Sequence, residues 1–149
     1  RNDELFQIPL EDLRRMASEE LKSIAQKASG DSIETLRLMG QSEVKSEGYR
    51  VELSYALLGQ LAIVADPSAK GYRMKDVKME TANDWFGRIM TSINKEEELL
   101  LFLVRDDSYV TFKRARALAW LQKIEVAYEL LDVNDPIKFG LGGSAPLAQ

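Results

Sequence analysis

The sequence predicts an α+β chain: a two-layer sandwich, with a small mixed sheet carrying helices on one face, preceded by an N-terminal amphipathic helix. Three observations carry this. Apolar residues between Leu10 and Ala28 recur at three- and four-residue steps, the period of a helix with one buried face. Short alternating or apolar runs at Tyr49–Tyr55, Leu61–Ala65, Leu99–Val104 and Ile124–Leu130 have the length and composition of strands. The last two runs flank a helical stretch, and a right-handed crossover through it would make them parallel neighbours or near-neighbours.

Residues 1–9 read as a lead-in ending at Pro9, a residue tolerated at a helix start. In the helix that follows, Leu10, Leu13, Ala17, Leu21, Ile24 and Ala28 share a face, and Ser29-Gly30 ends it. Two readings are open, a coiled-coil arm or a helix packed on its own domain. The heptad fails at Glu20, which favours the second. Asp31 and Glu34 have capping-box spacing and open a short helix through Ile33, Leu36 and Met39, with Gly40 past its end. Residues 41–48 are polar and mark a boundary. The expected domains are therefore a helical segment 1–40, an α+β domain 41–139 and a tail 140–149.

Tyr49, Val51, Leu53 and Tyr55 alternate with Arg50, Glu52 and Ser54, a strand with one wet face. Leu61–Ala65 is an apolar run closed by the turn pair Asp66-Pro67. A basic loop follows, with Lys70, Arg73, Lys75 and Lys78 and a short extended piece at Tyr72–Met74. A helix over about Thr81–Ile93 carries the stripe Trp85, Phe86, Ile89, Met90 and Ile93. Leu99–Val104 is continuous enough to be a strand buried on both faces. In the turn Arg105-Asp106-Asp107-Ser108, Asp107 or Ser108 can cap the next helix. That helix turns Phe112, Ala115, Leu118 and Ala119 inward. In the final strand Ile124, Val126 and Tyr128 alternate against Glu125, Ala127 and Glu129. Gly140 to Pro146 reads as a flexible tail.

Composition removes whole classes of chemistry. The chain has no cysteine and no histidine, so thiol and zinc sites, disulfides and histidine-based triads are excluded. Any metal needs oxygen ligands. A net charge of −4 argues against general nucleic-acid binding, which needs a strongly basic face. No run approaches the length of a membrane span. The chain opens at Arg1 rather than Met, which reads as a processed or truncated product and leaves room for an anchor ahead of it.

Two constellations remain. Asp66, Asp106 and Asp107 would meet at one sheet edge if the strands before them were adjacent and parallel, giving a carboxylate Mg²⁺ or Ca²⁺ enzyme. Adjacent aspartates in a turn are more often a solvated cap. The second is Lys113, Arg116, Trp120 and Lys123, on the side of the last helix away from Phe112 and Ala115. Aromatics and arginine are enriched at protein interfaces, so Trp120 reads as an anchor with the cations as its rim. The competing reading has Trp120 folded over the N-terminal helix.

Residues 61–131 resemble the periplasmic domain of the ExbD/TolR family, proteins of proton-driven motor complexes in the bacterial envelope. The matching segments are Leu61–Ala65, Asn83–Ile93, the apolar run with its charged residue and aspartate at Leu99–Asp106, the aromatic-opened helix Tyr109–Gln122 and Ile124–Leu131. The chain departs from the family in lacking its membrane helix, in having no counterpart for residues 1–55, and in carrying Lys123 where a glycine usually precedes the last strand. The resemblance implies a non-catalytic envelope or periplasmic domain, homodimeric, contacting protein partners and needing no cofactor. The alternatives are a cytosolic regulatory or adaptor domain binding a small ligand or partner, and the carboxylate enzyme.

Overall fold

The computed structural model describes residues 4–74, 85–132 and 135–140. They form two compact units: residues 7–70 with 136–140, and residues 4–6, 71–74, 85–132 and 135. The class is α+β, with the N-terminal helix present. The boundary expected at residue 40 lies inside the first unit, because the helix before it and the strands after it share one apolar cluster.

In the first unit α1 spans Leu10–Ala28, as its periodicity dictates, and buries Leu13, Ala17, Ile24 and Ala28. It is a helix packed on its own unit. Its outer face is stitched by Arg14–Glu11, Arg15–Asp12 and Arg15–Glu19 ion pairs. Ser29 ends it in the left-handed conformation, at φ 48°. Asp31 caps α2 (Ser32–Gln41), its carboxylate accepting from the Ile33 and Glu34 amides at 2.8 and 3.1 Å, a contact typically worth about 1 kcal/mol. Only half of the capping box forms. Glu34 turns to Arg37 instead, and the Asp31 amide donates to the Ala28 carbonyl. Gly40 lies within α2, not past its end.

The polar stretch 41–48 is a hairpin rather than a boundary. β2 (Val44–Ser46) pairs antiparallel with β3 (Tyr49–Glu52) across Glu47-Gly48, both at positive φ (48° and 84°), the geometry of a two-residue primed turn. Gly48 is required twice over: a Cβ there would lie 2.6 Å from the Ala69 Cα. The strand from Tyr49 is shorter than its alternation suggests. After Glu52 the chain coils into a 3-10 segment, Leu53–Leu58, although Leu53 stays buried. β4 (Gln60–Ala65) pairs with β3 on one side. On the other it pairs with a strand from the far end of the chain, which is named β8 (Ile137–Gly140) because it comes last in sequence. The stretch from Gly140 therefore begins as strand, and residues 141–149 of the expected tail lie outside the described residues. The sheet order is β2-β3-β4-β8, wholly antiparallel. Its core is Leu13, Ala17, Ile24, Val44, Tyr49, Val51, Leu53, Leu61 and Ile63.

In the second unit β1 (Glu4–Leu5) pairs antiparallel with β5 (Tyr72–Arg73), the extended piece expected there. Lys75 and Lys78 of the basic loop and residues 81–84 of the expected helix lie outside the described residues. α3 spans Trp85–Ser92 and buries Phe86. β6 (Leu100–Arg105) and β7 (Val126–Leu131) are parallel, in register from Leu100↔Val126 to Arg105↔Leu131, and α4 (Tyr109–Leu121) connects them. The expected strand–helix–strand crossover is therefore present.

Among the described residues three sheets replace the single mixed sheet. β4 has both edges taken, by β3 and β8, so β6 has no place beside it. β6 is also less buried than its apolar run suggests: Val104 is fully buried and the other five residues are half-exposed. Among the described residues its only strand partner is β7, and a two-stranded pair cannot enclose its own faces. The expected alternation holds at Ile124, which is buried, and at Glu125 and Glu129, which are exposed, but fails in the middle of β7, where Ala127 is buried and Tyr128 exposed.

Candidate functional site

α4 is held by its inner face. Phe112, Ala115 and Ala119 are buried, and the Phe112 ring meets Phe102 of β6 at 5.4 Å and Tyr128 of β7 at 5.1 Å. Ala115 and Leu118 belong to an apolar cluster with Met74, Phe86, Leu100 and Phe102. Ser108 stands at the N-cap but makes no side-chain cap; its hydroxyl donates to the Asp107 carboxylate at 2.6 Å. That hydrogen bond holds the Asp107 carboxyl below the usual carboxylate range. At the other end the Lys95 ammonium donates to the Gln122 carbonyl at 2.7 Å, a cation where the helix dipole favours one.

The outer face of α4 is not polar. Tyr109, Val110, Trp120 and Leu121 are exposed, Trp120 at 58 % and Leu121 at 67 %. Val110, Ala117 and Leu121, spaced by seven and four residues, run in line along the helix. The Arg116 guanidinium lies over the Trp120 ring at 4.5 Å and over the Phe112 ring at 5.3 Å. Lys113 lies over Tyr109 at 5.1 Å. Among the described residues, none of Lys113, Arg114, Arg116 and Lys123 forms an ion pair.

Of the four residues singled out from sequence, Lys113, Arg116 and Trp120 share this face. Arg116 also bridges to Phe112, so it borders the inner side instead of avoiding it. Lys123 stands beyond the helix end in a left-handed conformation, φ 58°, and lies outside the stripe. Sequence reasoning missed Tyr109, Val110, Arg114 and Leu121. The available signal was that α4 carries apolar residues on both faces, which an ordinary one-sided surface helix does not.

The three aspartates do not form a site. Asp66 follows β4 and the Asp106–Asp107 pair follows β6, and these strands belong to different sheets. Among the described residues no group of three carboxylates could hold a metal ion. Asp106 spends one oxygen on the Asp107 amide, as a turn aspartate does. The first unit has a separate apolar cleft of about 340 Å³ between α1, α2 and the 3-10 segment, lined by Leu21, Ile24, Ala25, Met39 and Leu57, with Thr35 as its polar side chain. It lacks the convergent polar groups that orient a small ligand. Among the described residues no helix is long and apolar enough to cross a membrane. No protein-family model, no curated protein and no solved structure matches the chain.

Proposed function

We propose that this chain is a non-catalytic protein-interaction domain and that its contact surface is the outer face of α4. The observation that carries the reading is the exposed Trp120, held flat under Arg116 and continued by Leu121 and Val110. A tryptophan pinned by a neighbouring guanidinium loses little side-chain freedom on docking, which is what an interface anchor needs. An envelope-associated or periplasmic assembly role is the part of the proposal that draws on the sequence resemblance to ExbD/TolR domains, which also implies a second copy as the competing occupant. The lack of histidine and cysteine supports the non-catalytic part, since it leaves few nucleophiles and no side chain that ordinarily titrates near neutrality.

The test is a photo-crosslinking residue at Ala117, in the middle of the face, compared with one at Lys27 on the exposed side of α1. The expected outcome is a discrete protein adduct from position 117 that disappears with Trp120→Ala and is absent from position 27. No adduct at 117, or one indifferent to Trp120→Ala, sinks the reading. Adduct mass also separates a second copy from a different partner.

A further inference from the structure

The charge on this face says what kind of partner fits it. From Tyr109 to Lys123 the chain has four cations, Lys113, Arg114, Arg116 and Lys123, and no acid. The arginines of α1 and α2 are neutralised at home: Arg14 by Glu11, Arg15 by Asp12 and Glu19, Arg37 by Glu34. Among the described residues the cations of α4 have no such partners, and those on the helix flank an apolar line, Val110–Ala117–Leu121. Arg114 borders it on one side; Lys113 and Arg116, with Tyr109 and Trp120, border it on the other. Resting on the reading that α4 is an interaction surface, we propose that its outer face takes an acidic amphipathic segment of a different protein, apolar along its centre and carboxylate-bearing along its edges.

Other occupants fit less well. A second copy docking α4 against α4 would double the unpaired cations across the symmetry axis, and like charges brought together in an interface are repulsive. Single-stranded nucleic acid needs bare aromatic faces for its bases. Here Arg116 and Lys113 already cover one face each of Trp120 and Tyr109. A lipid surface must be anionic to use these cations, and it would meet the whole chain's net charge of −4. A peptide meets only the local patch. α4 has 13 residues, roughly 20 Å of helix, which matches one short segment and is too small for a broad protein face.

The experiment is fluorescence anisotropy with the whole chain and a labelled amphipathic helix of leucine and glutamate, beside a twin in which every glutamate is glutamine. Phosphatidylglycerol vesicles and oligo-dT are run in parallel. The glutamate peptide is expected to bind about tenfold more tightly than its twin, and to weaken severalfold between about 50 and about 300 mM salt. Joint Lys113→Glu and Arg116→Glu removes that preference, while Lys22→Glu with Lys27→Glu on α1 does not. Trp120→Ala weakens both peptides. Urea midpoints confirm that the variants remain folded. Equal binding of the two peptides, absence of binding, indifference to the double reversal, or tighter binding to vesicles or oligo-dT overturns the acidic-partner assignment. An adduct from position 117 alongside any of these results leaves the interaction face standing and removes only the partner's charge. An adduct that contains only a second copy does the same.

Discussion

The two units show two ways of using a helix. α1 in the first unit is one-sided: Leu13 and Ala17 are wholly buried, Ile24 nearly so, and its two arginines are paired with acids along the helix. α4 in the second unit is two-sided. Phe112, Ala115 and Ala119 pack inward, yet Val110, Trp120 and Leu121 face solvent among cations that form no ion pair among the described residues. The sheets follow the same division. The first unit encloses a core of nine buried residues, whereas the parallel pair β6–β7 leaves Tyr128 and Leu130 exposed. Apolar surface that neither the fold nor local charge pairing has used is the physical mark of a contact region. Both units leave such surface, the first at Ile33, Leu36, Leu57 and Leu58 and the second on α4, so the contrast is between the helices α1 and α4, and the proposed contact face is the one flanked by cations.

The largest expected effect tests that division directly. Leu13 is fully buried in the first unit's core, so Leu13→Ala should cost about 2–5 kcal/mol, from lost transfer energy and the cavity left behind. Leu121→Ala, which removes the same atoms from an exposed position, should change stability by less than about 0.5 kcal/mol. Urea unfolding followed by far-ultraviolet circular dichroism checks both. Comparable losses at the two positions would mean that the outer face of α4 is packed in solution, and the contrast between the helices would collapse.

How legible this was from sequence depended on the range of the interaction involved. α1 was read to the residue because a 3.6-residue period is local. The cap at Asp31 and the strand–helix–strand order of β6, α4 and β7 were also local. The hairpin over Glu47-Gly48 was hidden because its turn lacks an asparagine or aspartate before the glycine, and the flanking residues look like linker. β8 was invisible for a different reason. Ile137–Gly140 becomes a strand only because β4, some seventy residues earlier, offers an open edge. That same pairing defeated the single-sheet expectation and with it the three-aspartate site. The contact face was half legible. Trp120 among cations stood out, whereas the Val110–Ala117–Leu121 line went unread, because nothing local marks it as a face until the orientation of α4 is known.

A second prediction sharpens the account of the first unit. Tyr49 is buried beside the α1 face, and desolvation pushes its phenol from the usual 10 up to about 12. The unfolded chain then ionises first as pH rises. The contribution is fully present below about pH 10, is lost as pH climbs towards 12, and amounts to about 2–3 kcal/mol at most. Tyr49→Phe should flatten this alkaline decline in urea midpoint relative to wild type. An unchanged slope would show that Tyr49 is wetter than its position in the core implies.

The smallest effect separates stability from contact at a single residue. Lys123 holds a left-handed backbone, φ 58°, just after α4, where its amide donates to the Trp120 carbonyl at 2.9 Å and the Ile124 amide donates to the Ala119 carbonyl at 3.0 Å. This is the helix-ending arrangement that favours glycine, since a Cβ is strained there. Lys123→Gly should raise the second unit's stability by about 1 kcal/mol, offset in part by the greater freedom of glycine in the unfolded chain. It also removes a cation without touching the apolar line. Binding of the glutamate peptide should therefore fall less than in the Lys113 and Arg116 double reversal, while thermal stability rises. If Lys123→Gly abolished binding altogether, the contact surface would centre on the helix end and its turn into β7, and the stripe along α4 would lose its claim.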